Sequence, residues 1–241
     1  MTLWTRRAAL GLAATLTAGI VTPVRATTIV ATPAALSDTL ALRWYDVFDD
    51  RDGGQNHVLG EYRNTGAKAI AAPVLSLALL DGDGAVLETD ELFPASARLA
   101  PGQTGGFSGD IHLTRGTWQR ERLIVCRTVL VGPSDATADL TLHDIRELAK
   151  TDAQLRVVGK IDNTGSVPLP GIGVRAIITR AKDGRFAGVG AATLEGPLPA
   201  NSTAAFVLTA VEADMPGLGA GDAYRYRLEI RLEHSLGFSC G

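Results

Sequence analysis

Val58-Leu59-Gly60-Glu61-Tyr62-Arg63-Asn64-Thr65-Gly66 returns, 99 residues later, as Val157-Val158-Gly159-Lys160-Ile161-Asp162-Asn163-Thr164-Gly165. Leu99, Thr104 and Phe107 return at the same spacing as Leu198, Thr203 and Phe206, and the Asp83-Gly84 turn returns one residue out of phase as Asp183-Gly184. A period of this size is too long for a solenoid unit and matches one small antiparallel β-sandwich. The chain is therefore expected to say one structural sentence twice.

Working outward from the repeat, two-residue alternation recurs and helical periodicity is nearly absent. From Tyr224 to Glu233, Tyr224, Tyr226, Leu228, Ile230 and Leu232 fall on one face. Arg225, Arg227, Glu229, Arg231 and Glu233 fall on the other, which reads as a solvated, self-neutralising charged ladder. Leu75, Leu77 and Leu79 share a face, and Val174, Ala176 and Ile178 keep that phase in the second copy. Asn64-Thr65-Gly66 and Asn163-Thr164-Gly165 read as turns using residues tolerant of positive φ. Asp81-Gly82-Asp83-Gly84 and Lys182-Asp183-Gly184 read as hairpin turns. Strands are expected to open at Leu40–Phe48 and Asp139–Ile145, with about seven per repeat. Asp144 to Lys150 carries the one hint of helix, and Gly132-Pro133-Ser134-Asp135 is the natural linker. The expected fold is all-β: two tandem immunoglobulin-like antiparallel β-sandwiches over residues 27–132 and 133–241, after an N-terminal signal segment at 1–26.

A glycine-bearing strand, Asn-Thr-Gly, an apolar strand ending in aspartate, an Asp-Gly turn, a leucine before Pro-Gly and a following phenylalanine resemble the bacterial FxLYD-type immunoglobulin-like domain. Leu77-Ala78-Leu79-Leu80-Asp81 stands where the eponymous motif would be, with leucine in place of both aromatics, and Ala176-Ile177-Ile178-Thr179-Arg180 keeps only the apolar face. The resemblance spans roughly residues 38–131 and 138–233. It implies exported, non-catalytic β-sandwich modules and no particular substrate.

Residues 1–26 read as an export signal: Arg6 and Arg7, an apolar run from Ala8 to Val21, and Val24-Arg25-Ala26 at the cleavage positions. Thr5-Arg6-Arg7-Ala8-Ala9-Leu10 resembles a twin-arginine signal, though ordinary secretory signals also carry paired arginines. The apolar run falls short of the ~20 residues that span a bilayer, so cleavage into a bacterial periplasm is expected, the alternative being an inner-membrane anchor. Losing the leader removes three arginines and no acid, taking the net charge from −3 to −6. That excess argues against nucleic-acid or anionic-membrane partners. Cys126 and Cys240 are the only cysteines. In an oxidising compartment they either pair, stapling one module to the other, or stay as two thiols.

No catalytic constellation is legible. The four histidines are scattered, and neither a nucleophile elbow nor a phosphate-cradling loop occurs. Gly188-Val189-Gly190 reads as a strand bulge. Asp49, Asp50 and Asp52, in the acidic loop before His57, are the only candidate cation ligands; the loop lacks the spacing of an EF-hand. Arg115, Trp118 and Arg120 form a candidate binding loop, unless Trp118 closes the bottom of the sandwich. No cofactor is expected. Two functional classes remain: a non-catalytic scaffold binding another exported protein through loops or a sheet edge, and a small-ligand binder for carbohydrate or a cation.

Overall fold

A computed structural model describes residues 35–50, 55–112, 118–130 and 139–232. The leader, the linker and Cys240 lie outside them. The first module contains β1 (Ala35–Ser37), β2 (Leu40–Asp50), β3 (Gln55–Asn64), β4 (Ile70–Leu80), β5 (Val86–Pro94), β6 (Arg98–Leu99), β7 (Thr104–His112) and β8 (Arg120–Leu130). The second contains β9 (Leu140–Lys150), β10 (Gln154–Asn163), β11 (Ile172–Arg180), β12 (Phe186–Thr193), β13 (Ser202–Val211), a single 3-10 turn at Glu212–Asp214, and β14 (Tyr224–Leu232).

Each module is one antiparallel sheet curled into two layers. In the first, β1-β2-β3-β7 passes through β5 into β4, which β6 and β8 also flank. In the second, the order is β9-β10-β13-β12-β11-β14. The corner is a short contact in both: Phe93 opposite Ser108 and Pro94 opposite Phe107 in one, Ala191 opposite Thr209 in the other. β2, β3, β7 and β4 thus correspond to β9, β10, β13 and β11, as the sequence repeat requires.

The expected core phase is observed. Leu75, Leu77 and Leu79 are buried with Tyr62 and Phe107, while Val174, Ala176 and Ile178 are buried with Phe206 and Leu208. The repeated glycine is dictated by packing: a Cβ on Gly60 would enter the Phe107 ring, and one on Gly159 would lie 2.6 Å from Ile145 Cδ1 and 2.9 Å from the Phe206 ring. Cross-strand pairing brings these residues face to face in both copies.

Two local expectations are corrected. The Asn-Thr-Gly segments are not positive-φ turns, since neither asparagine nor glycine there has positive φ. Instead Asn64 is fully buried: its amide donates to the carbonyls of Lys68 (2.9 Å) and Leu99 (3.1 Å), and its Oδ1 accepts from Gly66 N–H (2.9 Å). Asn163 repeats this with Val167 (2.9 Å), Leu198 (3.3 Å), Pro199 (3.0 Å) and Gly165 (3.0 Å). A primary amide, with two donors and an acceptor, satisfies backbone groups that the loop leaves without ladder partners. The helical hint at Asp144–Lys150 is also overturned. These residues complete β9, whose ladder to β10 outweighs a local helical preference that a seven-residue segment cannot sustain alone. Two register shifts interrupt that ladder, and Asp144 sits at φ 53°.

Candidate functional site

The outer face of β2-β3-β7 carries a row that crosses three strands, Trp44 opposite Glu61 opposite Gly106. This row does not face water; the second module packs on it. Trp44, Leu59, Ala95, Ile177 and Phe186 form a buried cluster between the modules. Gly106 leaves the space that the Phe186 ring fills, and any Cβ there would collide with the ring. Glu61 is buried and accepts a 2.6 Å bond from Phe186 N–H, with Arg43 Nη1 3.9 Å from its other oxygen. The Arg185 guanidinium lies 3.9 Å from the Trp44 ring centroid, a cation–π contact.

β14 closes the same seam and corrects the reading of its charged face. Its core face is as expected, with Tyr224, Tyr226 and Leu228 on the core of the second module. Arg227 and Glu229 pair at 2.9 Å, so the ladder does neutralise itself. It is not simply solvated, however. Arg227 donates to Ser96 Oγ (2.9 Å), Ser96 donates to Glu229 (3.3 Å), and the Pro94 carbonyl accepts from both Arg231 (3.3 Å) and Arg175 (3.0 Å). Burial pushes the Glu229 carboxyl above its ordinary range, opposed by Arg227 and the Ser96 bond.

Four residues further along β3 and β7 the seam opens. Period-two alternation places His57 and Asp110 on the same face as Glu61 and Gly106. They line a cleft of about 270 Å³ with Val58, Phe93 and Ser108 from the first module and Arg175, Val189, Ala191, Asp214 and Pro216 from the second. His57 Nδ1 lies 2.5 Å from Asp110 Oδ1, which fixes the ring. Asp214 Oδ2 accepts from Val211 N–H at 2.8 Å. Phe93 stands 57% exposed beside these groups, a large apolar surface left in water at the mouth of a mixed polar and apolar pocket.

The residues singled out from sequence lie elsewhere. Asp49 and Asp50 end β2, opposite Asn56 and Gln55, while Asp52 lies outside the described residues. Among the described residues no group of three or more His, Cys, Asp or Glu side chains could hold a metal ion. Trp118 is partly buried against the first core, and Arg120 donates to the Gly82 carbonyl at 3.2 Å; Arg115 lies outside the described residues. Cys126 is disulfide-bonded. Trp44 and Tyr45, adjacent on β2, point to opposite faces and are both buried, Tyr45 in the first core and Trp44 between the modules. The cleft was missed because its residues are spread from position 57 to 216 and meet only when the two modules dock. The only sequence signal was an aromatic, Phe93, beside the Pro94 that ends its strand.

No protein-family model and no curated protein sequence matches the chain. Among solved structures it is similar to a Bacteroides uniformis β-glucuronidase 2 (13% identity, TM-score 0.28, 75% of this chain and 24% of that one). A putative β-galactosidase from Bacteroides fragilis (15%, 0.26, 87% and 33%) and red sea bream transglutaminase (12%, 0.22, 73% and 27%) are further examples. The chain spans about a quarter to a third of the length of these proteins. Likenesses of this size do not bear on its chemistry.

Proposed function

We propose that this is an exported, non-catalytic interaction protein whose two sandwich modules together bind another exported protein. The observation that carries the reading is the seam: a buried bond between Glu61 and Phe186, and half-buried bonds between Ser96 or Pro94 and β14, tie the modules into one body with a fixed relation between its outer loops. A partner contacting both modules is then bound without the added cost of ordering the modules relative to one another. The edge of β9 is a poor template for an added strand, because its bulges and the charges of Asp144, Arg146, Glu147 and Lys150 break the flat repeat that strand addition needs. Partner contacts are therefore placed on the loops, around the cleft or on another sheet edge, β1, β8 or β14. Affinity purification of the full exported chain from its own periplasm, with mass spectrometry, tests this. One stoichiometric exported partner is expected; a chain recovered alone refutes it.

A second reading, small-ligand binding, is favoured by one observation, the cleft around Phe93.

A further inference from the structure

The geometry points to a binding site for one neutral sugar residue in the cleft between the modules, an inference that rests on the ligand-binding reading above. Three features select that chemistry. The exposed Phe93 ring on one wall is a flat apolar platform on which the C–H face of a sugar ring can lie. The polar groups are side chains able to bond hydroxyls: Asp110, which keeps Oδ2 after His57 takes Oδ1, Asp214, which keeps Oδ1 after Val211 N–H takes Oδ2, and Ser108. An anion finds no dominant partner here, since two carboxylates, Asp110 and Asp214, line the cleft and the Arg175 guanidinium donates to the Pro94 carbonyl at 3.0 Å; the calcium probe tests the cation alternative. The volume of about 270 Å³ falls just below that of drug-sized pockets, ~300–1,000 Å³, and suits a single ring.

The site requires both modules. Phe93, Ser108 and Asp110 come from the first, Arg175 and Asp214 from the second, so the seam that fixes the modules also shapes the site.

The test uses the full chain, titrated by calorimetry and thermal shift with glucose, galactose, N-acetylglucosamine, maltose and cellobiose. Glucuronate and calcium serve as charged probes. At least one neutral sugar is expected to bind with a dissociation constant of about 1 mM or below and to raise the melting temperature. Phe93→Ala should weaken it at least tenfold, roughly the loss of one stacking contact. Phe93 is exposed, so this variant should keep the parent's melting temperature without sugar. Val86→Ala, at another exposed apolar position, should bind like the parent. Neutral-sugar binding that survives Phe93→Ala overturns the proposal. A response to glucuronate or calcium alone, abolished by Phe93→Ala, overturns the neutral-sugar class and keeps a ligand cleft. No response to any probe overturns both.

Discussion

Phe186→Ala tests whether the two modules behave as one body. Phe186 is 3% exposed, and its ring lies over Gly106 in the cluster with Trp44, Leu59 and Ile177. Truncating a buried phenylalanine costs about 3–5 kcal/mol in transfer and cavity terms. The Phe186 N–H bond to Glu61 is a backbone bond and can persist, so the lower figure is the better expectation here. If the modules unfold together, a loss of ~3 kcal/mol lowers the melting temperature of a chain this size by roughly 6–12 °C. The loss falls on the seam more than on either core, so the single calorimetric transition expected of the parent should separate into two in the variant. Differential scanning calorimetry reads both effects. A variant that melts in one transition within about 2 °C of the parent would mean that the seam contributes no coupling, and the argument for one rigid body would be refuted.

Asn64→Leu and Asn163→Leu should each cost about 2–4 kcal/mol in urea denaturation, because each orphans buried carbonyls and a glycine N–H. A neutral result at either position would refute its stapling role. Gly60→Ala should cost about 1–3 kcal/mol through collision with Phe107, and Gly159→Ala a similar amount through Ile145 and Phe206, both read by thermal melts. The Asp162 carboxyl is held below its ordinary range by Thr203 and His143. It adds stability above the usual carboxylate pKa that disappears as pH falls, so Asp162→Asn should flatten the acid limb of a melting-temperature profile between about pH 5 and 2. Glu229, raised by burial, works in the opposite sense: its cost appears as pH rises through its elevated pKa. The melting temperature of Glu229→Gln relative to the parent should therefore improve from about pH 4 to 7, and a flat difference would remove Glu229 from the pH dependence.

Within a module, the sequence was readable because the information is local or repeated. The alternation of Leu75, Leu77 and Leu79 is a property of one strand, and its return at Val174, Ala176 and Ile178 fixed the phase twice. The Asn-Thr-Gly segments stand where the sequence places them, but their cause is a buried amide rather than a positive-φ turn. A turn and a buried amide staple look alike in sequence, and only the packing of residues 99 and 198 separates them. The seam was not legible at all. Trp44, Glu61 and Gly106 look like ordinary outward positions until another sheet is known to cover them, and Arg227 and Arg231 look solvated for the same reason. The cleft inherits that blindness, since half its wall belongs to the other module.

The seam joins unlike faces, β2-β3-β7 of one copy against β11, β12 and β14 of the next. A contact of this head-to-tail kind has no internal reason to stop after two units, and between separate molecules it would grow into an open filament. The second copy does not offer the same receiving face. Where the first row reads Trp44, Glu61 and Gly106, the corresponding row reads His143, Lys160 and Ala205. Ala205 fills the hollow that receives Phe186, and Lys160 puts a donor where an acceptor is needed. Lys160 is further tied to Asp144 at 2.8 Å. The divergence between the repeats at these three positions makes the face of the second copy a poor seat for another unit docked in the same way.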